Sequence, residues 1–222
     1  MNAYILRIQQ NLSQSEFESL SGLVSHDKRT KIQNFRFPSD AQKSLLGDAL
    51  ARYAICRQYG LSNENLRFGA NRHGKPFLLG HPSISHNISH SGDYVVCAAG
   101  NNGPVGIDVE TVKSADMKIA ERFFAEDEFA YLRGHPPELQ NECFCRLWTM
   151  KESYVKMLGR GLSIPLGSFS VLSGESTGNA HFCQFIENAD AIGHVCAENE
   201  SDANCANVDC AELVLWATKS KT

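Results

Sequence analysis

The sequence predicts an α+β fold built from two lobes, and three observations support this prediction. Apolar residues recur with a helical period in some segments and alternate with a period of two in others. Both patterns occur in each half of the chain, and no repeat of short fixed period is present. A chain of 222 residues can form one large domain or two small ones. The simplest arrangement has two lobes that meet near residues 100–106, so we assign residues 1–103 to the first lobe and 104–222 to the second.

The first half combines helix and strand patterns. It begins with a strand-like segment, Met1–Gln10, and a short helix that starts at Ser13. A long helix is predicted from Ser39, where Gln42 completes a capping-box pattern, to a glycine stop at Gly60. Turn-forming residues then separate three predicted strands, which favours an antiparallel meander. These strands are Ile84–His90, Tyr94–Ala99 and Val105–Glu110.

The second half contains further helices and strands. The predicted helices are Ala115–Phe124, Glu126–Arg133 and a longer one that begins at Pro137 and ends before Gly159. The predicted strands are Ser168–Leu172, His181–Ile186 and Glu212–Ala217. Between the last two strands, the segment Glu187–Asp209 is rich in polar residues and alanine, so we expect a weakly structured connection there.

The charge distribution differs between the two halves. Residues 1–100 contain 11 Lys and Arg against 7 Asp and Glu, whereas residues 101–222 contain 10 against 18. This asymmetry is either a chance distribution or indicates a basic half that holds anionic groups and an acidic half that holds a cation. The net charge of −4 argues against general nucleic-acid binding. No run of about eighteen apolar residues predicts a membrane span, and the first ten residues do not resemble a signal peptide.

Eight cysteines are scattered over the chain, at positions 56, 97, 143, 145, 183, 196, 205 and 210. Their spacing matches no zinc-finger motif, and positions 143 and 145 fall inside a helical pattern. Scattered cysteines of this kind are typical of small core residues in a reducing compartment. We therefore expect a cytoplasmic protein without structural disulfides.

Three carboxylates are the strongest candidates for a chemical role. Asp108 and Glu110 lie two positions apart in a predicted strand, so their side chains share one face. They are either exposed residues of an edge strand or, with Glu152, ligands of a divalent cation that relieves their mutual repulsion. Glu152 and Lys156, one helical turn apart, are either a surface helix pair or part of the same site. A metal beside a lysine suits chemistry on a phosphate ester.

Residues of the first half are candidates for ligand binding. Lys28, Arg29 and Lys31 form a basic cluster before the first long helix, and Lys43 lies inside that helix. These charges are either a solvated face or an anion site. The segment His73–Pro76 predicts a turn whose backbone could approach a ligand. His90 is either a structural histidine or a ligand-binding one. The sequence contains no P-loop, dinucleotide-binding or serine-hydrolase motif.

Together these segments resemble the surfactin-type 4′-phosphopantetheinyl transferases. The resemblance extends over most of the chain, and its most specific part is the pair of segments Gly-Ile-Asp-Val-Glu and Trp-Thr-Met-Lys-Glu-Ser at this separation. The matching segments are 28–31, 45–48, 74–76, 87–92, 106–110, 123–124, 148–153 and 159–163. The resemblance implies a monomer of two α+β lobes related by pseudo-twofold symmetry, with coenzyme A bound in the cleft between them.

The resemblance also implies a role for each candidate residue. Asp108, Glu110 and Glu152 would bind Mg²⁺, with Mn²⁺ as an alternative, and Lys156 would contact the pyrophosphate of coenzyme A. The other implied contacts to coenzyme A are Ser89 and His90 for a phosphate, Lys28, Lys31 and Lys43 for the 3′-phosphate, and Gly74, Lys75 and Pro76 for adenine. Position 43 carries lysine where the family often has arginine, which keeps the charge but loses the bidentate geometry.

The implied reaction is the Mg²⁺-dependent transfer of the 4′-phosphopantetheine arm of coenzyme A to a serine hydroxyl of an apo acyl or peptidyl carrier protein, with release of 3′,5′-ADP. Lys156 would assist, and the serine proton would pass to Glu152, to Glu128 or to a metal-bound water. A non-catalytic module that binds coenzyme A or carrier proteins is the alternative. Phe123 and Phe124 are either core residues or part of a surface that docks the carrier.

Overall fold

Two β-sheets, each packed against a long helix, organise the protein. The computed structural model describes residues 1–199 and 202–220. The strands in these residues are β1 (Asn2–Arg7), β2 (Phe68–Ala70), β3 (Pro76–Leu78), β4 (Ser85–Ser91), β5 (Tyr94–Gly100), β6 (Val105–Thr111), β7 (His181–Glu187), β8 (Ala191–Ala197) and β9 (Asn204–Asn207). The α-helices are α1 (Gln14–Ser21), α2 (His26–Gln33), α3 (Pro38–Tyr59), α4 (Met117–Phe123), α5 (Glu126–Gly134), α6 (Pro137–Leu158), α7 (Gly174–Thr177) and α8 (Cys210–Lys219).

A unit of one strand, one long helix and one hairpin occurs twice. The first lobe contains β1, the 22-residue helix α3, then β4 and β5; the second contains β6, the 22-residue helix α6, then β7 and β8. The corresponding sheet orders are β4-β5-β1 and β7-β8-β6, and all these neighbours are antiparallel. The central strands β5 and β8 are buried along their whole length. The predicted α+β fold of two similar lobes is therefore confirmed.

Proline and glycine mark the ends of both long helices. Each helix begins with a proline and ends at a glycine in the left-handed conformation, Gly60 with φ 67° and Gly159 with φ 65°. The limits of α6 agree with the prediction. The predicted capping box at Ser39 is wrong, because α3 begins one residue earlier, at Pro38. The Gln42 side chain instead accepts a hydrogen bond at 2.8 Å from a backbone amide ahead of α1.

β4 and β6 lie side by side and join the two lobes, although they belong to different sheets. The predicted meander of β4, β5 and β6 is wrong, because β6 pairs with β8. Instead, side chains of β4 accept hydrogen bonds from backbone amides of β6. Ser85 accepts from Val105 at 3.0 Å, Asn87 from Ile107 at 3.0 Å, and Ser91 from Thr111 at 3.2 Å. These short polar side chains satisfy one edge of β6 without a backbone ladder. We call this contact the interlobe seam.

The region after α6 differs most from the prediction. Residues 168–172 do not form the predicted strand, and the segment expected to be weakly structured contains β8 and β9. β8 is buried on both faces, so it lacks the alternation by which a half-exposed strand is recognised. The predicted strand Glu212–Ala217 lies within α8, where Asp209 caps the helix by accepting the Glu212 amide at 2.6 Å.

The last described elements return to the first lobe. β9 pairs in parallel with β1. α8 buries Leu213 and Ala217 in the core that α3 and β5 also form. The predicted boundary assigns residues 104–222 to the second lobe, whereas residues 204–219 complete the sheet and core of the first.

The cysteines are free thiols, and half of them are buried. Cys97, Cys143, Cys145 and Cys196 are buried, and Cys205 is the exposed member of the eight. This distribution agrees with the prediction of small core residues and not with a disulfide or zinc framework. Across the described ranges, no helix combines the length and the apolar character needed to cross a bilayer.

Truncation of α8 side chains tests its packing on the first lobe. Leu213→Ala is expected to lower the free energy of unfolding by about 2–5 kcal/mol, because it removes a fully buried side chain and leaves a cavity. Leu215→Ala on the same helix is the matched control, since Leu215 is 54% exposed and its truncation should change stability by at most about 0.5 kcal/mol. Urea unfolding followed by circular dichroism measures both, and equal losses would contradict the packing of α8.

Candidate active site

A cleft of about 510 Å³ lies between the lobes, along the interlobe seam. The first lobe lines it with Lys28, Lys43, Ser44, Gly47, Asp48, Ile88, Ser89 and His90. The second lobe lines it with Asp108, Glu110, Trp148, Glu152 and Lys156. The three predicted metal ligands therefore share one cleft, with lysines of the first lobe on its other side.

Close packing of β6 on α6 brings the carboxylates of the two elements together. A Cβ atom at Gly106 would lie 2.0 Å from the backbone oxygen of Ser153 and 2.3 Å from the backbone nitrogen of Met157. Only glycine permits this approach, because the colliding atoms belong to the helix backbone and cannot turn away. The approach places Asp108, two residues further along β6, against Lys156 of α6.

Asp108 lies at the centre of a buried hydrogen-bond network. Its Oδ1 atom accepts from Ser89 Oγ at 2.7 Å and from Lys156 Nζ at 2.6 Å. Lys156 Nζ also donates to Ser89 Oγ at 3.0 Å and to the backbone oxygen of Ile107 at 3.3 Å. The Asp108 side chain is only 5% exposed. Three different elements, β4, β6 and α6, thus converge on one carboxylate oxygen.

Glu110 and Glu152 line the same cleft, and the pKa of each is raised. Burial raises the pKa of Glu110, a hydrogen bond from Ser91 Oγ at 2.6 Å opposes this, and the charge of Asp108 adds to it. Burial also raises the pKa of Glu152, followed by the charge of Asp108, while Lys156 opposes. Both shifts arise because carboxylates share a partly desolvated cleft, where a bound cation would stabilise their charged forms.

The cleft has the donor chemistry of a Mg²⁺ site. Carboxylate oxygens are the protein ligands that Mg²⁺ prefers. Asp108 Oδ2 is buried without a hydrogen-bond partner, and a buried oxygen in this state is satisfied by an ion or a donor. In residues 1–199 and 202–220, no group of three or more His, Cys, Asp and Glu side chains is already arranged to hold a metal. The carboxylates of the cleft are therefore of the chemical type that binds Mg²⁺.

Some of the basic residues predicted to bind phosphate line the cleft, and one does not. Lys28 and Lys43 line the cleft beside His90. Partial burial, and then the positive charges of Lys43 and Lys156, lower the pKa of His90. Lys31 on α2 is exposed and is not part of the cleft lining. This end of the cleft therefore favours an anion, while a role for Lys31 stays a prediction.

The predicted turn His73–Pro76 lines a second recess of about 300 Å³. This recess shares Glu152 and Lys156 with the main cleft, so the two spaces adjoin. Gly74 has φ 88°, which the turn requires and glycine permits. The ammonium group of Lys75 does not extend along the main cleft but donates to two backbone oxygens of the second lobe.

Glu128, a predicted candidate for the base, lies outside the cleft. Its carboxylate accepts from Lys151 Nζ at 2.8 and 2.6 Å and from the amides of Ala125 and Val171, both at 2.8 Å. Both side chains of the Glu128–Lys151 pair are 0% exposed. The pair fastens α5 to the turn of α6 that carries Glu152. This geometry favours a structural role for Glu128 over proton transfer.

Phe123, the last residue of α4, and Phe124, which follows it, differ in burial. Phe124 is 5% exposed and belongs to the core of the second lobe. Phe123 is partly buried and packs edge-on against Trp148, with ring centroids 6.5 Å apart. Phe124 is thus a core residue, whereas a docking role for Phe123 stays a prediction.

Sequence reasoning missed one polar contact of the site and one buried ion pair outside it. Ser91 lies two residues beyond Ser89 on the same face of β4 and donates to Glu110. Period-two alternation could have indicated it once Ser89 was a candidate. Lys151 sits next to Glu152 but points to the opposite side, into the interior. Nothing in the sequence around Lys151 indicates that it pairs with Glu128, because the two residues lie 23 positions apart on different helices.

The fold and the cleft together define a two-lobed α+β protein whose cleft combines three carboxylates with several basic residues. Two family profiles match the chain. The 4′-phosphopantetheinyl transferase superfamily matches residues 104–210, and the N-terminal region of 4′-phosphopantetheinyl transferases matches residues 10–102. The chain belongs to the 4′-phosphopantetheinyl transferase superfamily, and it is an enzyme of the transferase class.

Individual relatives support the same assignment. The chain is 42% identical to the 4′-phosphopantetheinyl transferase Sfp of Bacillus subtilis (strain 168) over 171 residues, which is 77% of this chain and 76% of that protein. It is 40% identical to the 4′-phosphopantetheinyl transferase gsp of Aneurinibacillus migulanus, over 74% of this chain and 68% of that protein. A more distant relative is the L-aminoadipate-semialdehyde dehydrogenase-phosphopantetheinyl transferase of Xenopus laevis, 29% identical over 69% of this chain and 55% of that protein.

Neutralising the Glu128–Lys151 pair separates a structural role from a catalytic one. Lys151→Met alone is expected to destabilise the fold by about 3–5 kcal/mol, because it leaves Glu128 charged and unpaired in the interior. The double variant Glu128→Gln/Lys151→Met should recover part of the stability, since both charges are gone and the amide oxygen can still accept one of the two backbone donors. Thermal unfolding and transfer to a carrier protein are measured for both. A folded double variant without any turnover would indicate that Glu128 takes part in proton transfer.

Proposed function

We propose that this enzyme transfers the 4′-phosphopantetheine arm of coenzyme A to a serine hydroxyl of an apo acyl or peptidyl carrier protein, with release of 3′,5′-ADP. The observation that carries the proposal is the convergence of Ser89, Asp108 and Lys156, each from a different element, in the cleft that Glu110 and Glu152 also line. This arrangement offers a cation site and a lysine at one point, as reaction at a pyrophosphate requires.

Coenzyme A would lie along the cleft and its adjoining recess. The recess beside Gly74 and Pro76 has room for adenine at about 300 Å³. Lys28 and Lys43, at the basic end of the main cleft, would hold the 3′-phosphate. Lys156 lines both spaces, so the pyrophosphate would pass close to its ammonium group.

Asp108, Glu110 and Glu152 are the residues that would hold Mg²⁺, or Mn²⁺ in its place. When bound, the ion supplies charge neutralisation for the pyrophosphate and the leaving phosphate. Support for this assignment comes from the unpartnered Asp108 Oδ2 atom and the raised pKa values of Glu110 and Glu152. The chain keeps these groups in a partly buried cleft, where each charge interacts more strongly than in water.

In the transfer step, the serine oxygen forms a bond to the β-phosphorus of coenzyme A. The bond from that phosphorus to the bridging oxygen breaks, and 3′,5′-ADP leaves with the electron pair. Glu152, which lines the same cleft, would accept the serine proton. Lys156 would stabilise the charge on the departing phosphate.

One chain is sufficient for this site, because both lobes of the same molecule line the cleft. We therefore propose that the enzyme acts as a monomer. Eight free cysteines suit a reducing compartment, and we propose that the reaction takes place in the cytoplasm.

Mass spectrometry of a carrier protein tests the activity. Incubation of the enzyme with Mg²⁺, coenzyme A and an apo carrier should add one phosphopantetheine group to each carrier, and removal of Mg²⁺ by EDTA should abolish this. Asp108→Asn should lower turnover by about 100-fold or more, because the amide keeps the size of the side chain but not its charge. Asp190→Asn is the matched control, since Asp190 is 64% exposed and pairs with Arg7 at the surface. Binding of coenzyme A by the wild-type enzyme without any gain in carrier mass would support the non-catalytic alternative.

A donor comparison tests the basic end of the cleft. Lys28→Ala should raise the KM for coenzyme A by about tenfold and leave the KM for 3′-dephospho-coenzyme A nearly unchanged, because it removes a charge-assisted contact to one phosphate. Lys31→Ala, measured alongside, examines the exposed lysine of the same cluster. Equal losses with the two donors would contradict the role assigned to Lys28.

A further inference from the structure

The turn between β2 and β3 reaches from the first lobe to the end of α6. Asn71 Nδ2 donates to the backbone oxygen of Gly159 at 2.8 Å. Asn71 Oδ1 accepts from the amides of His73 and Lys75 at 2.9 and 3.0 Å, which fixes the shape of the turn. One asparagine thus stabilises the turn and attaches it to the helix of the other lobe.

Lys75 in the same turn makes two further contacts to the second lobe. Its Nζ atom donates to the backbone oxygen of Met157 at 2.8 Å and to that of Val105 at 3.0 Å. Met157 lies in the last turn of α6, where carbonyl groups have no donor within the helix, and a cation there also interacts favourably with the helix dipole. Val105 is the first residue of β6.

The stem of Lys75 is packed and not free to follow a ligand. A Cβ atom at Gly159 would lie 2.7 Å from Lys75 Cδ, so the lysine stem covers the end of α6 directly. Burial lowers the pKa of Lys75 to about 8. Lys75 is thus a packed side chain, whereas Lys28 and Lys43 line the open cleft.

We propose that Lys75 is a positioning residue whose ammonium group ties the start of β6 to the end of α6 and so fixes Asp108 relative to Lys156. Val105 precedes Asp108 by three residues, and Met157 directly follows Lys156. The backbone of the turn remains available to adenine, so the side chain and backbone of Lys75 would serve different purposes. The catalytic part of this inference rests on the proposed function, whereas the clamp itself does not.

Hydrogen exchange and kinetics of Lys75→Met test the clamp. Methionine keeps a long apolar stem but removes both hydrogen bonds. The amide of Gly159, which donates to Val155 at 3.0 Å, should exchange about tenfold faster as the last turn of α6 loosens. The kcat should fall about tenfold or more, while the KM for coenzyme A changes by less than about threefold, because misplacement affects the transition state most.

Two further variants serve as controls. Arg72→Met removes a positive charge from the same turn without a contact to α6 and should leave Gly159 exchange at the wild-type rate. Lys75→Arg retains a cation that can donate to two carbonyl groups and should restore slow exchange and most of the kcat. Should Lys75→Met fail to fold, Asn71→Ala, which removes the contact to Gly159 together with the two hydrogen bonds that shape the turn around Lys75, is expected to accelerate the same amide.

Unchanged exchange at Gly159 in Lys75→Met, or in Asn71→Ala if only that variant folds, would overturn the proposal. An unchanged kcat with a strongly raised KM would also overturn it, by showing that the Lys75 side chain contacts the nucleotide. The exchange experiment needs no substrate. Fast exchange in a chain that never modifies a carrier would therefore refute the proposed function and leave the clamp intact.

Discussion

The site depends on the direct contact between the β6 and α6 backbones at Gly106. With no side chain between them, a strand and a helix from distant parts of the sequence come close enough for Asp108 to meet Lys156 at 2.6 Å. This close approach gathers the charged side chains of the cleft. The carboxylates repel one another, burial prevents water from relieving that repulsion, and one Asp108 oxygen is left without a partner.

The two lobes have the same architecture but contribute different charges. The first supplies Lys28, Lys43 and His90, and the second supplies three carboxylates and Lys156. They meet along the interlobe seam, where Ser and Asn side chains of β4 satisfy backbone amides of β6. Because the seam is made by side chains, Ser89 remains free to face the cleft and to donate to Asp108. The same strand thus joins the lobes and contributes to the site.

Sequence reasoning reached the site more fully than the C-terminal region, for physical reasons. Asp108, Glu110, Glu152 and Lys156 could be predicted because strand and helix periods fix which side chains share a face. Lys75 was assigned to the ligand, since nothing in a turn sequence indicates which distant carbonyl a lysine will reach. β8 lacks the alternation of a half-exposed strand because it is buried on both faces. In α8 the run from Leu213 to Ala217 is continuously apolar, so its periodicity does not distinguish a strand from a helix.

The crossing of β9 and α8 into the first lobe has a consequence for how the protein forms during synthesis. β1 is synthesised well before its parallel neighbour, which begins at Asn204, about two hundred residues later. Until then one edge of the first sheet is unpaired and the groove that receives Leu213 is open. Pairing of β1 with β9 is slow because closing so long a loop costs conformational entropy. The nascent first lobe would therefore present an exposed strand edge to chaperones or to other chains.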